Sequence, residues 1–177
     1  MADATAIDRL YSEAAAVLDV LRRTSEVSLE IAATDHFRKA LLLASASYFE
    51  YRVSASVVEF VRLRSNGSLL VENFVRNKAV ARQYHTWFQW DSANANQFYG
   101  LFGDGFRTTM IERIKGSDQL RASVGAFLEL GRERNRLVHD NYATFTLEKT
   151  LDEIYQLYRS AMAFIEVLPD ALRDCDG

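Results

Sequence analysis

The first 66 residues hold neither glycine nor proline. A stretch that long without the two strongest breakers of regular structure restricts a chain to long helices. β-rich folds need frequent turns and the residues that make them. The remainder keeps the same character, since all 177 residues include only eight glycines and one proline, Pro169. With 49% hydrophobic and 25% charged residues the chain can bury a core, and its length predicts one domain over residues 1–177.

Apolar spacing assigns the helices. Ile7, Leu10, Ala14, Val17 and Leu21 recur at intervals of three and four, the mark of one helix face. Thr24 and Ser25 predict a break. A second helix is expected to start at Thr34 or Asp35, both good caps, and to stop at Ser65-Asn66-Gly67. Its main stripe is Phe37, Leu41, Ala44, Tyr48, Tyr51, Ala55 and Val58; Phe49, Val53, Val57 and Phe60 form another, which predicts a central helix packed on two sides. A shorter helix is expected over 69–81. Residues 84–116 hold both tryptophans and three close glycines, and read as an insertion of short helices. Gly116-Ser117 opens a helix with Leu120, Val124, Phe127 and Gly131 in register. The last helix carries the most regular stripe: Leu147, Leu151, Ile154, Tyr158, Ala161, Ile165 and Leu168. Thr146 or Thr150 caps it, Pro169 ends or kinks it, and 170–177 reads as a mobile acidic tail. The expected fold is all-α, an elongated bundle of long helices with short ones at one end.

Charge and cysteine content narrow the function classes. The net charge of −3 argues against broad binding of polyanions, so any nucleic-acid role must come from a local site. One cysteine, Cys175, offers neither an internal disulfide nor a zinc pattern. No apolar run reaches the length of a membrane span, and the acidic start, with Asp3 and Asp8, lacks the basic region of a secretion signal. The expectation is a cytoplasmic protein that does not engage membranes.

Residues 132–142, Arg-Glu-Arg-Asn-Arg-Leu-Val-His-Asp-Asn-Tyr, concentrate the chemistry. Continuing the stripe 120, 124, 127, 131 places Arg134 and Val138 inward, and Arg132 and Arg136 outward with Glu129 and Glu133. An inward guanidinium requires a carboxylate or an anionic ligand. Asn135 and His139 lie four apart and share a face if the helix extends that far. A fixed cation, an amide and an imidazole within two turns suit a scissile phosphate: arginine neutralises developing charge and histidine moves a proton near neutral pH. Two structural readings stand beside this one. His139 can be a helix C-terminal residue favoured by the dipole, and Arg134 can form an ion pair with Glu50 or Glu153.

Arg134-Asn135-Arg136-Leu137-Val138-His139 resembles the R-x4–6-H motif of the HEPN superfamily, with the polar residue after the arginine that the family prefers. The motif closes a helix, a short linker follows, and a long helix then begins at a threonine. The segment Ala44–Phe60 is similar to the central helix of RiboL-PSP-type HEPN proteins. The resemblance implies a metal-independent endoribonuclease without a cofactor, in which two copies meet to form a composite site. RNA would be cut by attack of the 2′-hydroxyl on the adjacent phosphate, leaving 2′,3′-cyclic phosphate and 5′-hydroxyl ends. It implies that Arg134 stabilises the phosphorane, His139 acts as general base or acid, and Asn135 holds the imidazole or the phosphate. Arg132 also satisfies the motif, at wider spacing, and with Arg136 would contact the RNA backbone. The implied setting is a toxin or abortive-infection effector in antiviral defence, with RNA as substrate, a homodimer as assembly, and an antitoxin or defence-system protein as partner. An inactive dimerisation or binding module of the same family is the alternative. The branch paired with minimal nucleotidyltransferases places a tyrosine two residues after the histidine; here position 141 is Asn and the tyrosine is Tyr142.

Other residues carry competing readings. Glu50, between Phe49 and Tyr51, is expected to be buried and to support Arg134 or His139; an exposed charge is the alternative. His36 reads as a surface residue. His85, with Tyr84, Trp87 and Trp90, fits either a base-stacking surface or a packed cluster. Arg38, Lys39, Arg52, Arg62 and Arg64 make the second helix basic, either as an RNA-facing rim or as a solvated face. The stripe of the last helix fits a dimer seam or an internal contact equally well.

Overall fold

A computed structural model of the chain describes residues 5–174. The described residues form eight α-helices and one π-helical turn, with no strand. The fold is all-α, as expected. The helices are α1 (Ala6–Arg23), α2 (Val27–Arg64), α3 (Leu69–Val75), α4 (Tyr84–Trp87), α5 (Asn96–Gly100), α6 (Asp104–Lys115), α7 (Asp118–His139) and α8 (Leu151–Asp174); the π turn, Arg76–Val80, directly continues α3. No helix among the described residues is long and apolar enough to cross a membrane. The chain divides into two compact units, Met1–Ser47 with Leu130–Arg159, and Tyr48–Glu129 with Ser160–Gly177.

In the first unit α1 starts from a capping box. The Thr5 hydroxyl accepts from the Asp8 amide at 3.2 Å, and the Asp8 carboxylate accepts from the Thr5 amide at 2.7 Å. Its buried residues are Ile7, Ala14 and Leu18, so the expected stripe holds at Ile7 and Ala14, while Leu18 takes the place of the exposed Val17. Tyr11 stacks on Tyr155 with ring centroids 3.9 Å apart and reaches Asp152 through its hydroxyl at 2.7 Å. Ser25, at φ 59°, makes the expected break, but α2 begins at Val27, well before Thr34. Asp35 therefore lies inside the helix, where it pairs with Lys39 at 2.8 Å and Arg38 at 3.3 Å. Burial pushes the Asp35 carboxyl up, but Lys39 and Arg38 outweigh it and hold the carboxyl below its usual range. Thr150 caps α8 in a second box with Glu153, whose carboxylate accepts from the Thr150 amide at 2.7 Å. Leu147 is buried ahead of that helix.

The second unit is built around aromatic rings. Phe127 of α7 meets Phe49, Phe88, Trp90 and Phe164 with centroids 4.9–5.8 Å apart. Phe98 stacks on Phe88 at 4.7 Å and touches Trp87, Tyr99 and Phe102. The short helices of 84–116 thus supply much of this core, with Tyr84, Trp87, Phe88, Phe98, Tyr99, Phe106 and Met110 buried. Phe49, Val53 and Val57 of α2 are buried, whereas Tyr51 and Ala55 of the expected main stripe are exposed, so this stretch of α2 packs on one side. All seven residues of the final stripe, Leu147 to Leu168, are buried within the chain. That assigns them to internal packing and removes them as a dimer seam. Pro169 does not end α8, which continues to Asp174 and buries Ala171 and Leu172. The acidic tail is accordingly helical through Asp174; Cys175 and the last two residues, like Asp3, lie outside the described residues.

Candidate active site

The expected motif lies on the C-terminal part of α7, all of it in the first unit. Its phase is not that of the extrapolated stripe. Leu120, Val124, Phe127 and Gly131 are buried as expected, but the buried face then moves to Leu130, Glu133 and Leu137. Val138 is exposed and Arg134 is half-buried at the flank. Extending a stripe assumes the same neighbours along the helix, and α7 passes from one unit's core to the other's at Leu130.

Glu133, expected in solvent, is the buried charge of this segment at 7% exposure. A desolvated carboxylate requires cations. Arg136 Nη1 donates to both of its oxygens, at 3.2 and 3.1 Å, and Arg132 Nε lies 3.8 Å away. Arg136 also covers the ring of buried Phe145 at 5.5 Å. Arg136 is therefore committed to holding α7 and the following linker, while Arg132 makes only the longer contact and its side chain stays 43% exposed.

Arg134 differs from both. Its partner among the described residues is the side chain next to it: Nη1 donates to Asn135 Oδ1 at 3.1 Å, and no carboxylate pairs with it. Glu153, a proposed ion partner, is taken by its capping box. Glu50 belongs to the second unit, is exposed rather than buried, and forms no ion pair among the described residues. Burial was the reason to give Glu50 a supporting role, and that reason is gone. His139 is the exposed last residue of α7, one turn after Asn135 on the same face. The helix thus presents a guanidinium with open donors, an amide fixing it, and an accessible imidazole within two turns. Chemically, such a set can bind a phosphate and move a proton beside it.

The linker after α7 is tied down from α2. Lys39, at 2% exposure, sends its ammonium to the Tyr142 carbonyl at 3.0 Å and lies 5.0 Å from the centroid of the Tyr142 ring. Sequence reading placed Lys39 either on an RNA-facing rim or on a solvated face, and its burial rules out both for this residue; Tyr142 was given no role of its own. The available signal was an aspartate four residues before a lysine on one helix face, Asp35 and Lys39. Of the other basic residues of α2, Arg38 pairs with Asp35, Arg62 pairs with Glu59 in solvent, and Arg52 donates to the Tyr48 hydroxyl. His36 is exposed as expected, and the buried Trp87 and Phe88 put the rings near His85 in a packed cluster. Among the described residues no group of three histidine, cysteine, aspartate or glutamate side chains is placed to hold a metal.

A comparison with protein families matches residues 8–174 to the family described as RiboL-PSP-HEPN. No curated protein and no solved structure matches the chain significantly.

Proposed function

Because the chain belongs to the RiboL-PSP-HEPN family, we propose that it is a metal-independent endoribonuclease acting as a homodimer, a toxin or phage-defence effector. The observation that carries the reading is Arg134, half-buried, paired with an amide instead of a carboxylate, and less than two turns from the exposed His139. The scissile phosphate takes the open donors of Arg134, which neutralise the charge that grows on its oxygens as the 2′-hydroxyl attacks. His139 removes the 2′-hydroxyl proton, and the second copy's histidine, at the composite site, protonates the departing 5′-oxygen. The products are a 2′,3′-cyclic phosphate and a 5′-hydroxyl. Asn135 keeps the guanidinium in place, and Arg132 offers donors to a flanking phosphate. An antitoxin or another defence protein would restrain the activity.

Purified protein is expected to cut single-stranded RNA in the presence of EDTA and to leave cyclic phosphate ends, with His139→Ala losing at least about a hundredfold in rate. Equal cleavage by wild type and His139→Ala across varied RNAs would reject this role. A second reading, an inactive dimerisation or protein-binding module, draws on the exposed Leu69, Leu70 and Phe74 of α3. Overexpression separates the two: the ribonuclease arrests growth in a His139-dependent way, and the module does not.

A further inference from the structure

We infer that Tyr142 is a base-stacking platform for the RNA nucleotide next to the cleaved phosphate, and that Lys39 holds it in place. The inference rests on the ribonuclease reading for the position of the phosphate, and on the geometry of the 140–146 linker for the rest.

Three contacts immobilise this ring's backbone. Asn141 starts a tight turn: its side-chain oxygen accepts from the Ala143 amide at 3.1 Å, and its carbonyl accepts from the Thr144 and Phe145 amides at 3.0 and 2.8 Å. Phe145, buried under Arg136, anchors the far end of that turn. Lys39 grips the Tyr142 carbonyl from α2, and is itself fixed by Asp35. The ammonium lies over the ring, yet the residue keeps 42% of its surface exposed. A large aromatic side chain left open on a rigid turn has little conformational freedom to lose on binding, which favours stacking. A cation against its ring also makes it a poor partner for another cation and leaves it suited to a neutral π face.

The position is also right for a nucleotide. Tyr142 follows His139 by three residues, so their Cα atoms lie within about 11 Å of each other. That bound is within the span of one or two nucleotides of an extended strand. A base flanking the phosphate held by Arg134 and His139 can therefore meet the Tyr142 ring, while Arg132 takes a backbone oxygen. Every base has a π face, so such a platform raises affinity without dictating sequence.

The test uses the full chain, a short random-sequence single-stranded RNA, and the same sequence with every 2′-hydroxyl methylated so that it binds but cannot be cut. Tyr142→Ala is expected to weaken binding of the methylated RNA about tenfold or more, and to raise KM on the cleavable RNA by a similar factor while kcat is kept. Tyr142→Phe is expected to match wild type. Tyr142→Trp should bind and show quenching of the new indole as methylated RNA is added, a signal that a purely structural tyrosine would not produce. Unchanged binding by Tyr142→Ala, or no quenching in a Tyr142→Trp that binds RNA, overturns the proposal. Absence of any RNA binding by wild type overturns it too. If wild type cuts nothing but binds methylated RNA with the Tyr142→Ala defect, the platform stands and the ribonuclease reading fails.

Discussion

At the scale of single residues, partners rather than position decide what a charge does. Glu133 and Arg134 are adjacent, yet the carboxylate is buried between two arginines and the guanidinium is left with a neutral amide. Removing Arg136 leaves the Glu133 carboxylate with only the longer Arg132 contact, so Arg136→Met is expected to cost about 1–3 kcal/mol in urea unfolding. Glu133→Gln, which frees two arginines that already reach water, is expected to cost less. The reverse order would mean that the pair does not hold this end of α7. Asp8 supplies a second case. Burial pushes its carboxyl up, but hydrogen bonds from Thr5 and Tyr155 and the nearby Arg159 prevail, and the folded value lies below the usual one. A group lowered on folding stabilises above its unfolded value and loses that contribution as pH falls through the folded one. Asp8→Asn should therefore be less stable than wild type by about 1–2 kcal/mol at neutral pH, and the two unfolding curves should converge as the pH drops below about 4. A constant gap down to the lowest pH would show that Asp8 contributes through shape alone. The Arg134 and His139 pair was legible as a spacing, whereas Glu133 was not, because burial at a helix flank depends on neighbours that the helix period does not encode.

At the scale of elements, the regular stripe of α8 was readable residue by residue, and its seven positions are all buried. The start of α2 was not. Its first turns carry Val27, Leu29 and Ile31 at alternate positions, all exposed, so no helical face showed itself, and Thr34-Asp35 looked like a cap. Short segments were equally opaque: α4 and α5 span four and five residues, too few for a period to appear, and their rings pack by shape. Pro169 misled in the opposite direction. A proline inside α8 lacks the amide that would serve the Ile165 carbonyl, and the flanking turns are held by buried Leu168, Ala171 and Leu172. Pro169→Ala restores that donor and is expected to stabilise the protein by about 1–3 kcal/mol, seen as a higher Tm. A lower Tm would show that the ring's packing outweighs the missing bond.

At the scale of the whole molecule, family membership and an all-α fold were recoverable from one motif and a few stripes, while the aromatic core of the second unit was not. The motif needs only residues close in sequence, but Phe127 meets rings contributed by residues 49, 88, 90 and 164. The burial of the α8 stripe also means that the proposed assembly of two copies would have to use another face. Lys39 has a further practical use. Of the four lysines, Lys78 and Lys115 are exposed and Lys149 is partly so, while Lys39 is sealed. An amine acylating reagent applied to the native protein should therefore modify Lys39 last, and only in molecules whose 140–146 turn has lifted. Its labelling rate, followed by mass spectrometry against urea, is a clock for that opening. A rate that follows global unfolding would mark the turn as part of the cooperative fold; a faster, urea-insensitive rate would mark it as a segment that opens alone beside the proposed site.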